Sequence, residues 1–115
     1  MLVGIGIDIV EISEFTDMPK SFFEKIFTEK EIIYCTSKPL PEQHFAARFS
    51  AKEAIIKAIS GINSDISFQD IEILNDVQGR PCVFFKRLIS EDISVEISMS
   101  HNQTMATAVA IVEET

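Results

Sequence analysis

The chain has 115 residues and a mass of 12.9 kDa, the size of one ordinary domain, and we expect residues 1–115 to form a single domain. Hydrophobic residues make up 46% of the sequence, which is enough for a packed core and excludes an intrinsically disordered chain. The formal net charge of −8 disfavours a nucleic-acid groove and a patch for anionic membranes.

The sequence also predicts where the protein is found. No apolar run approaches the ~20 residues of a membrane-spanning helix, and the first residues lack the basic segment that opens a signal peptide. The two cysteines, Cys35 and Cys82, are far apart and form no Cys-x-x-Cys pair, which favours reduced thiols. We therefore expect a cytoplasmic protein that binds neither nucleic acid nor membranes.

The first predicted element is a β-strand over residues 2–12. Its isoleucines alternate onto one face, and Gly4, Gly6 and Asp8 occupy the other. Glycine inside a strand commonly marks the close approach of a ligand or of another backbone. A carboxylate in this position needs a partner, because burying an unpaired charge is costly. Asp8 is therefore interpreted either as part of a metal or phosphate site or as a strand-end residue that caps a turn.

Two short helices follow. The pattern predicts the first over residues 20–27. Thr28 and Glu31 have the spacing of a capping box, so a second helix is expected to begin after Thr28 and to end near Cys35.

The longest predicted helix covers residues 42–60 and has an apolar face of phenylalanines and isoleucines. Arg48 and Lys52 lie at the margin of that face, and Glu53 and Lys57 share a neighbouring stripe. One interpretation is that the first pair extends to solvent along the core edge and that the second is a surface ion pair. The other is a site in which the carboxylate holds a divalent cation and the basic side chains neutralise phosphates.

The second half predicts four strands, at residues 66–74, 82–86, 94–100 and 105–112. Gly79 supplies the turn between the first two, and residues 87–92 form a short helical or irregular connection. His101 lies in the turn before the last strand and is either a structural histidine or a donor to a phosphate. One strand, then helices, then mostly antiparallel strands predict an α+β fold.

Three segments resemble a known family. They are GIGIDIVEI at residues 4–12, FAARFSAKEA at residues 45–54 with Lys57 and Ala58 after it, and SMSH at residues 98–101. In this order and at nearly this spacing they resemble the holo-acyl-carrier-protein synthases, the small single-domain 4′-phosphopantetheinyl transferases. The resemblance covers essentially the whole chain.

The resemblance implies an enzyme that moves the 4′-phosphopantetheine arm of coenzyme A onto a serine of an apo acyl carrier protein and releases adenosine 3′,5′-bisphosphate. It implies catalytic roles for Asp8, Glu53 and Lys57, with Asp8 and Glu53 holding Mg²⁺ against the coenzyme A pyrophosphate. It assigns Arg48, Lys57 and His101 to coenzyme A binding, Lys57 at the pyrophosphate and His101 at the 3′-phosphate. Glu53 or a metal-bound water would accept the serine proton.

The resemblance also implies a 4′-phosphopantetheinyl transferase-like fold, in which an antiparallel sheet packs against a long helix. It implies a homotrimer whose sites lie between neighbouring subunits, so that His101 comes from the chain next to the one that supplies Asp8 and Glu53. The activity would serve fatty acid biosynthesis or a specialised branch of metabolism.

The chain departs from the family pattern in three places, one of which is a segment after Gly79-Arg80-Pro81 that is shorter than usual; the other two concern charge. Glu14 stands where the family usually has an arginine, and residues 38–44 are less basic than usual. An acidic carrier protein is expected to dock at both places, and a net charge of −8 opposes its approach. Two rival hypotheses therefore stand beside the enzyme: a binding module without productive carrier docking, and a structural α+β oligomer without a ligand.

Overall fold

The computed structural model describes residues 1–63, 65–87, 89 and 92–115, which form an antiparallel sheet, a separate hairpin and three α-helices. The strands are β1 (Leu2–Glu11), β2 (Ile71–Asn75), β3 (Pro81–Phe85), β4 (Ile93–His101) and β5 (Met105–Glu114). The helices are α1 (Lys20–Ile26), α2 (Glu29–Thr36) and α3 (Pro41–Ile59). The sheet has the order β1-β5-β4, and β2 pairs with β3. This confirms the predicted α+β class with an antiparallel sheet against a long helix.

The sheet packs closely on α3 because small residues line both sides of the contact. A Cβ atom on Gly4 would lie 1.9 Å from the carbonyl oxygen of Ala58, and one on Gly6 would lie 2.0 Å from that of Ala54. Only a residue without a side chain fits at these two positions. The glycines of the predicted strand indicated that a ligand or another backbone comes close, and the structure shows that the backbone of α3 does so.

The other face of β1 is apolar and exposed in the single chain. Ile5, Ile7 and Ile9 keep 64%, 67% and 64% of their surface accessible, and Ile111 on the neighbouring β5 keeps 37%. We call these four residues the isoleucine face. Contiguous exposed apolar residues of this kind mark a surface that binds another protein or a membrane.

Lys52 lies in a buried ion pair rather than at the surface. Its Nζ donates to Glu31 Oε1 at 2.6 Å, and both side chains are 0% exposed. It also donates to the carbonyl oxygens of Ile26 at 2.8 Å and Phe68 at 3.1 Å. The expectations that Lys52 extends to solvent or neutralises a phosphate are therefore wrong, since its donors are used inside the protein to join the helices to the segment that precedes β2.

Most predicted elements agree with the observed ones to within two residues. The capping box is present, with Thr28 N donating to Glu31 Oε1 at 2.8 Å and Glu31 N donating to Thr28 Oγ1 at 3.3 Å. His101, expected in a turn, is the last residue of β4. The connection predicted over residues 87–92 includes positions 88, 90 and 91, which lie outside the described residues.

The strand predicted over residues 66–74 is wrong at its start, because β2 begins only at Ile71. A 3-10 turn over Phe68–Asp70 precedes it. Asp70 Oδ2 accepts hydrogen bonds from Ser67 N at 2.9 Å and Ser67 Oγ at 3.0 Å. These side-chain hydrogen bonds hold the backbone in a turn and compete with strand pairing.

None of the helices formed by the described residues combines the length and the apolar character that crossing a lipid bilayer requires.

Candidate active site

Three of the predicted site residues meet where β1 crosses α3. Lys57 Nζ donates to Asp8 Oδ1 at 3.1 Å and to the carbonyl oxygen of Ile7 at 3.1 Å. Glu53 lies one helical turn before Lys57 on the same side of α3. The glycines of β1 allow the helix to lie against the strand, so Asp8, the next inward-facing residue, meets these two side chains. We call Asp8, Glu53 and Lys57 the carboxylate–lysine cluster.

The two carboxylates of this cluster interact unfavourably. Burial raises the pKa of Glu53 above its ordinary value, and the negative charge of Asp8 raises it further, whereas the ammonium group of Lys57 lowers it. Asp8 is therefore close enough for its charge to disfavour the charged form of Glu53. A divalent cation between them would remove this repulsion.

The backbone at Asp8 is fixed from two sides. Ser50 Oγ on α3 donates to the carbonyl oxygen of Asp8 at 3.0 Å, and Thr107 Oγ1 on β5 donates to the same oxygen at 2.7 Å. The sequence analysis did not single out these two hydroxyl groups. Ser50 could have been found from its position one turn before Glu53, but no sequence signal separates Thr107 from an ordinary strand threonine.

The donor set of the cluster fits a hard divalent cation such as Mg²⁺. Magnesium is usually held by one or two carboxylates, with phosphate and water oxygens completing its coordination. Within the described part of the chain, no group of three or more histidine, cysteine or acidic residues comes together, so ligand oxygens would have to supply the remaining positions. An open depression of about 320 Å³, lined by Ile7, Asp8, Ile9, Lys57 and Thr107, gives such a ligand room.

Arg48 lies in a different environment. It is 2% exposed, and its guanidinium carbon is 4.3 Å from the centre of the Tyr34 ring. Its Nη2 donates to Asn75 Oδ1, and its buried Nε has no hydrogen-bond partner among the described residues. The expectation that Arg48 extends to solvent at the margin of the apolar face is therefore wrong. A buried charged donor without a partner is costly, and an anionic ligand would satisfy it.

Further basic groups surround Arg48. Lys38 Nζ lies 4.9 Å from the centre of the same Tyr34 ring. The pKa of His44 is held below its usual value, chiefly by burial and then by the positive charges of Arg48, His101 and Lys38. We call Lys38, His44, Arg48 and His101 the basic cluster. Its net positive potential suits a phosphate.

Within one chain, the predicted site residues thus lie in two separate groups. Asp8, Glu53 and Lys57 come together in the carboxylate–lysine cluster, whereas Arg48 and His101 belong to the basic cluster. Arg48 and Lys57 are nine residues apart on α3, which at about 100° per residue places them on opposite sides of the helix. Sequence reasoning missed Tyr34, His44 and Asn75, since nothing local to them shows that they surround Arg48.

Comparisons with known proteins show the family to which the chain belongs. The family model described as the 4′-phosphopantetheinyl transferase superfamily matches residues 4–112. A holo-[acyl-carrier-protein] synthase of Chloroherpeton thalassium is 41% identical over 116 residues, covering 95% of this chain and 96% of the relative.

Solved structures extend the similarity to the fold. A holo-(acyl-carrier-protein) synthase from Bacillus anthracis, in complex with CoA (3′,5′-ADP), has a TM-score of 0.87 at 37% identity and covers 100% of this chain and 99% of its own. The Neisseria meningitidis enzyme has a TM-score of 0.87 at 32% identity, covering 99% and 100%. The chain therefore belongs to the 4′-phosphopantetheinyl transferase superfamily and, within it, to the holo-[acyl-carrier-protein] synthases.

Proposed function

We propose that this enzyme transfers the 4′-phosphopantetheine group of coenzyme A to a serine of an apo acyl carrier protein, releases adenosine 3′,5′-bisphosphate and depends on Mg²⁺. The observation that carries the proposal is the convergence of Asp8, Glu53 and Lys57 from β1 and α3. It is supported by relatives named for this activity and by structures of relatives in complex with coenzyme A.

In the proposed reaction, the serine oxygen attacks the phosphorus that bears pantetheine, and the bond from this phosphorus to the oxygen that bridges the two phosphates breaks. The electron pair leaves with the adenosine bisphosphate. Bound Mg²⁺ would polarise the pyrophosphate oxygens and offset the charge that develops on the leaving group. Asp8 and Glu53 would hold this cation, and the half-exposed side chain of Lys57 would neutralise pyrophosphate charge.

The serine must lose a proton as it attacks. Glu53 is one acceptor, because a raised pKa makes its carboxylate a stronger base. A water molecule bound beside it is the other. Both routes leave the same products, and both require the carboxylate–lysine cluster to be assembled.

The basic cluster is proposed to bind the 3′-phosphate of coenzyme A. Arg48 offers a buried Nε that has no partner among the residues that the structure describes, and His101 is exposed at the end of β4. Charged hydrogen bonds from a guanidinium to a phosphate are among the strongest that proteins make. This assigns Arg48 and His101 to cofactor binding, as expected from the resemblance.

We propose a homotrimer with its sites at the subunit interfaces. The two clusters lie on opposite sides of α3, whose diameter with side chains is about 10 Å, so one nucleotide does not contact both clusters of the same chain. The isoleucine face borders the depression at Asp8 through Ile7 and Ile9, and a neighbour packed there could bring its His101 to the site. We place this activity in the cytoplasm, in fatty acid biosynthesis or specialised metabolism.

The test is the intact mass of several apo carrier proteins after incubation with the enzyme, coenzyme A and Mg²⁺. We expect one carrier to gain the mass of phosphopantetheine on a serine. Asp8→Asn and Glu53→Gln should slow this gain about 100-fold, the size typical of a lost acid–base or electrostatic group. Glu114→Gln removes the same charge from an exposed strand end and should leave the rate unchanged.

The outcomes separate the rival functions. Coenzyme A that binds without modifying any carrier would favour a binding module. A melting temperature that coenzyme A does not shift would favour a structural oligomer, because a ligand that binds the folded state raises its stability. If Lys57→Ala has unchanged KM and kcat, Lys57 does not take part in binding or catalysis.

A further inference from the structure

Asn75, at the end of β2, connects the basic cluster to the turn between β2 and β3. Its side-chain oxygen Oδ1 accepts a hydrogen bond from Arg48 Nη2. Its Nδ2 donates to the carbonyl oxygen of Gly79 at 2.9 Å. One amide therefore touches both α3 and the turn, which are far apart in the sequence.

The turn itself is braced by a different side chain. Asp76 Oδ1 accepts hydrogen bonds from Gln78 N and Arg80 N, both at 2.9 Å. Gly79, with φ of 83°, supplies the left-handed conformation that the turn requires. The turn thus has its own hydrogen bonds, and the hydrogen bond from Asn75 to Gly79 mainly fixes the orientation of the amide. Held in this way, the amide presents its oxygen, rather than its nitrogen, to Arg48.

The guanidinium of Arg48 is restrained on two of its surfaces. The Tyr34 ring lies against its face, and the amide oxygen of Asn75 holds Nη2. Nε remains buried and without a partner in the described part of the chain. A guanidinium that is already oriented loses less conformational entropy when an anion binds, so its hydrogen bonds contribute more to affinity.

We propose that Asn75 is a positioning residue, which orients Arg48 for the 3′-phosphate of coenzyme A and thereby lets the enzyme distinguish coenzyme A from the same molecule without that phosphate. The proposal rests on the function proposed above for the basic cluster. It adds that selectivity for the phosphate depends on a side chain that does not itself contact the nucleotide.

The test compares the affinities for adenosine 3′,5′-bisphosphate and adenosine 5′-monophosphate, measured by calorimetry on the intact oligomer. We expect the wild-type enzyme to bind the bisphosphate at least about tenfold more tightly, or about 1.4 kcal/mol. In Asn75→Ala this ratio should fall close to one. Asp76→Ala is the matched control: it weakens the same turn without touching Arg48, so both affinities should change together and their ratio should persist.

A second variant covers the case in which Asn75→Ala fails to fold. Asn75→Asp has the same shape and keeps the acceptor for Arg48, but its negative charge beside the guanidinium offsets the positive potential that Arg48 offers to the phosphate. Its ratio should fall at least as far as that of Asn75→Ala.

Two results would overturn the proposal: an unchanged ratio in both Asn75 variants, or a wild-type enzyme that binds the two nucleotides equally. Failure of the proposed transferase activity has a different signature. In that case no carrier gains mass, whereas the nucleotide ratio and its dependence on Asn75 are still measured, because neither requires a carrier.

Discussion

The contact between β1 and α3 makes a sharp prediction about Gly6. A Cβ atom at this position would lie 2.0 Å from the carbonyl oxygen of Ala54 and 2.9 Å from both the carbonyl carbon of Ala54 and the backbone nitrogen of Ala58. These are backbone atoms, so no side-chain rotation relieves the clash. To reach even a tight contact of ~3.0 Å, strand and helix must separate by about 1 Å in Gly6→Ala. Overpacking of this kind costs about 1–3 kcal/mol and sometimes more, and we expect a value at or above the upper end.

The same displacement should reduce activity beyond its effect on stability. Asp8 belongs to the strand and Glu53 to the helix, so the separation moves the two carboxylates apart. A shift of about 1 Å in catalytic groups can lower a rate about 100-fold. We therefore expect folded Gly6→Ala to modify its carrier about 100-fold more slowly than the wild type.

Gly61→Ala is the matched control, because no atom of the described residues lies within 4 Å of a Cβ atom there. Urea unfolding followed by far-ultraviolet circular dichroism, at equal protomer concentration, gives the two free energies of unfolding. The carrier mass assay gives the two rates. The reasoning is refuted if Gly6→Ala and Gly61→Ala unfold with free energies within about 0.5 kcal/mol of each other and transfer at the same rate.

Three further predictions follow from other parts of the structure. Lys52→Met leaves Glu31 charged and buried, so it should lower the free energy of unfolding by about 3–5 kcal/mol. The double variant Lys52→Met, Glu31→Leu should lose less than the sum of the two single variants, and additive losses in urea unfolding would contradict the buried pair. Adenosine 3′,5′-bisphosphate should raise the pKa of His44, which burial and nearby positive charges hold below its usual value, because bound phosphate favours the protonated ring. Bisphosphate affinity should then increase as the pH falls through that pKa, and a His44 proton resonance that titrates identically with and without ligand would place the phosphate elsewhere. Ile5→Glu puts a charge on the isoleucine face and should convert the proposed trimer to monomers in sedimentation while abolishing transfer. A trimeric, active Ile5→Glu would show that this face is not the subunit interface.

Local patterns were enough to predict the helices and most of the strands. The alternation of β1, the capping box at Thr28 and the apolar face of α3 depend on residues close in sequence, and all three are observed. The start of β2 was missed because Ser67 and Asp70 make side-chain hydrogen bonds that no alternation of apolar residues reveals.

The charged residues of α3 were harder to place. Helical spacing gave the correct neighbours, Glu53 beside Lys57 and Arg48 beside Lys52. It did not show which groups cover each pair, because these come from distant parts of the chain. Glu31 neutralises Lys52 across 21 residues, and Asn75 holds Arg48 across 27. Because remote elements bury Arg48 and Lys52, these two basic residues do not surround Glu53, as helical spacing alone had indicated.

The glycines of β1 show a similar limit. Their presence correctly indicated that something approaches the strand closely, but the pattern alone left open a ligand or a backbone. The structure answers this for Gly4 and Gly6, which contact α3. For Asp8 it favours the interpretation as a metal or phosphate site, because its carboxylate lies with Lys57 and near Glu53.

We propose that Asp8 and Glu53 together hold the cation that binds the pyrophosphate of coenzyme A, and every other role assigned to the carboxylate–lysine cluster depends on this. Crystals grown with coenzyme A and Mn²⁺ in place of Mg²⁺ test it directly, since manganese can be located by its anomalous scattering. We predict one peak per chain within about 2.5 Å of an oxygen of each carboxylate and in contact with the pyrophosphate. A well-ordered coenzyme A whose pyrophosphate lies elsewhere, or a manganese peak that touches neither carboxylate, would contradict the account.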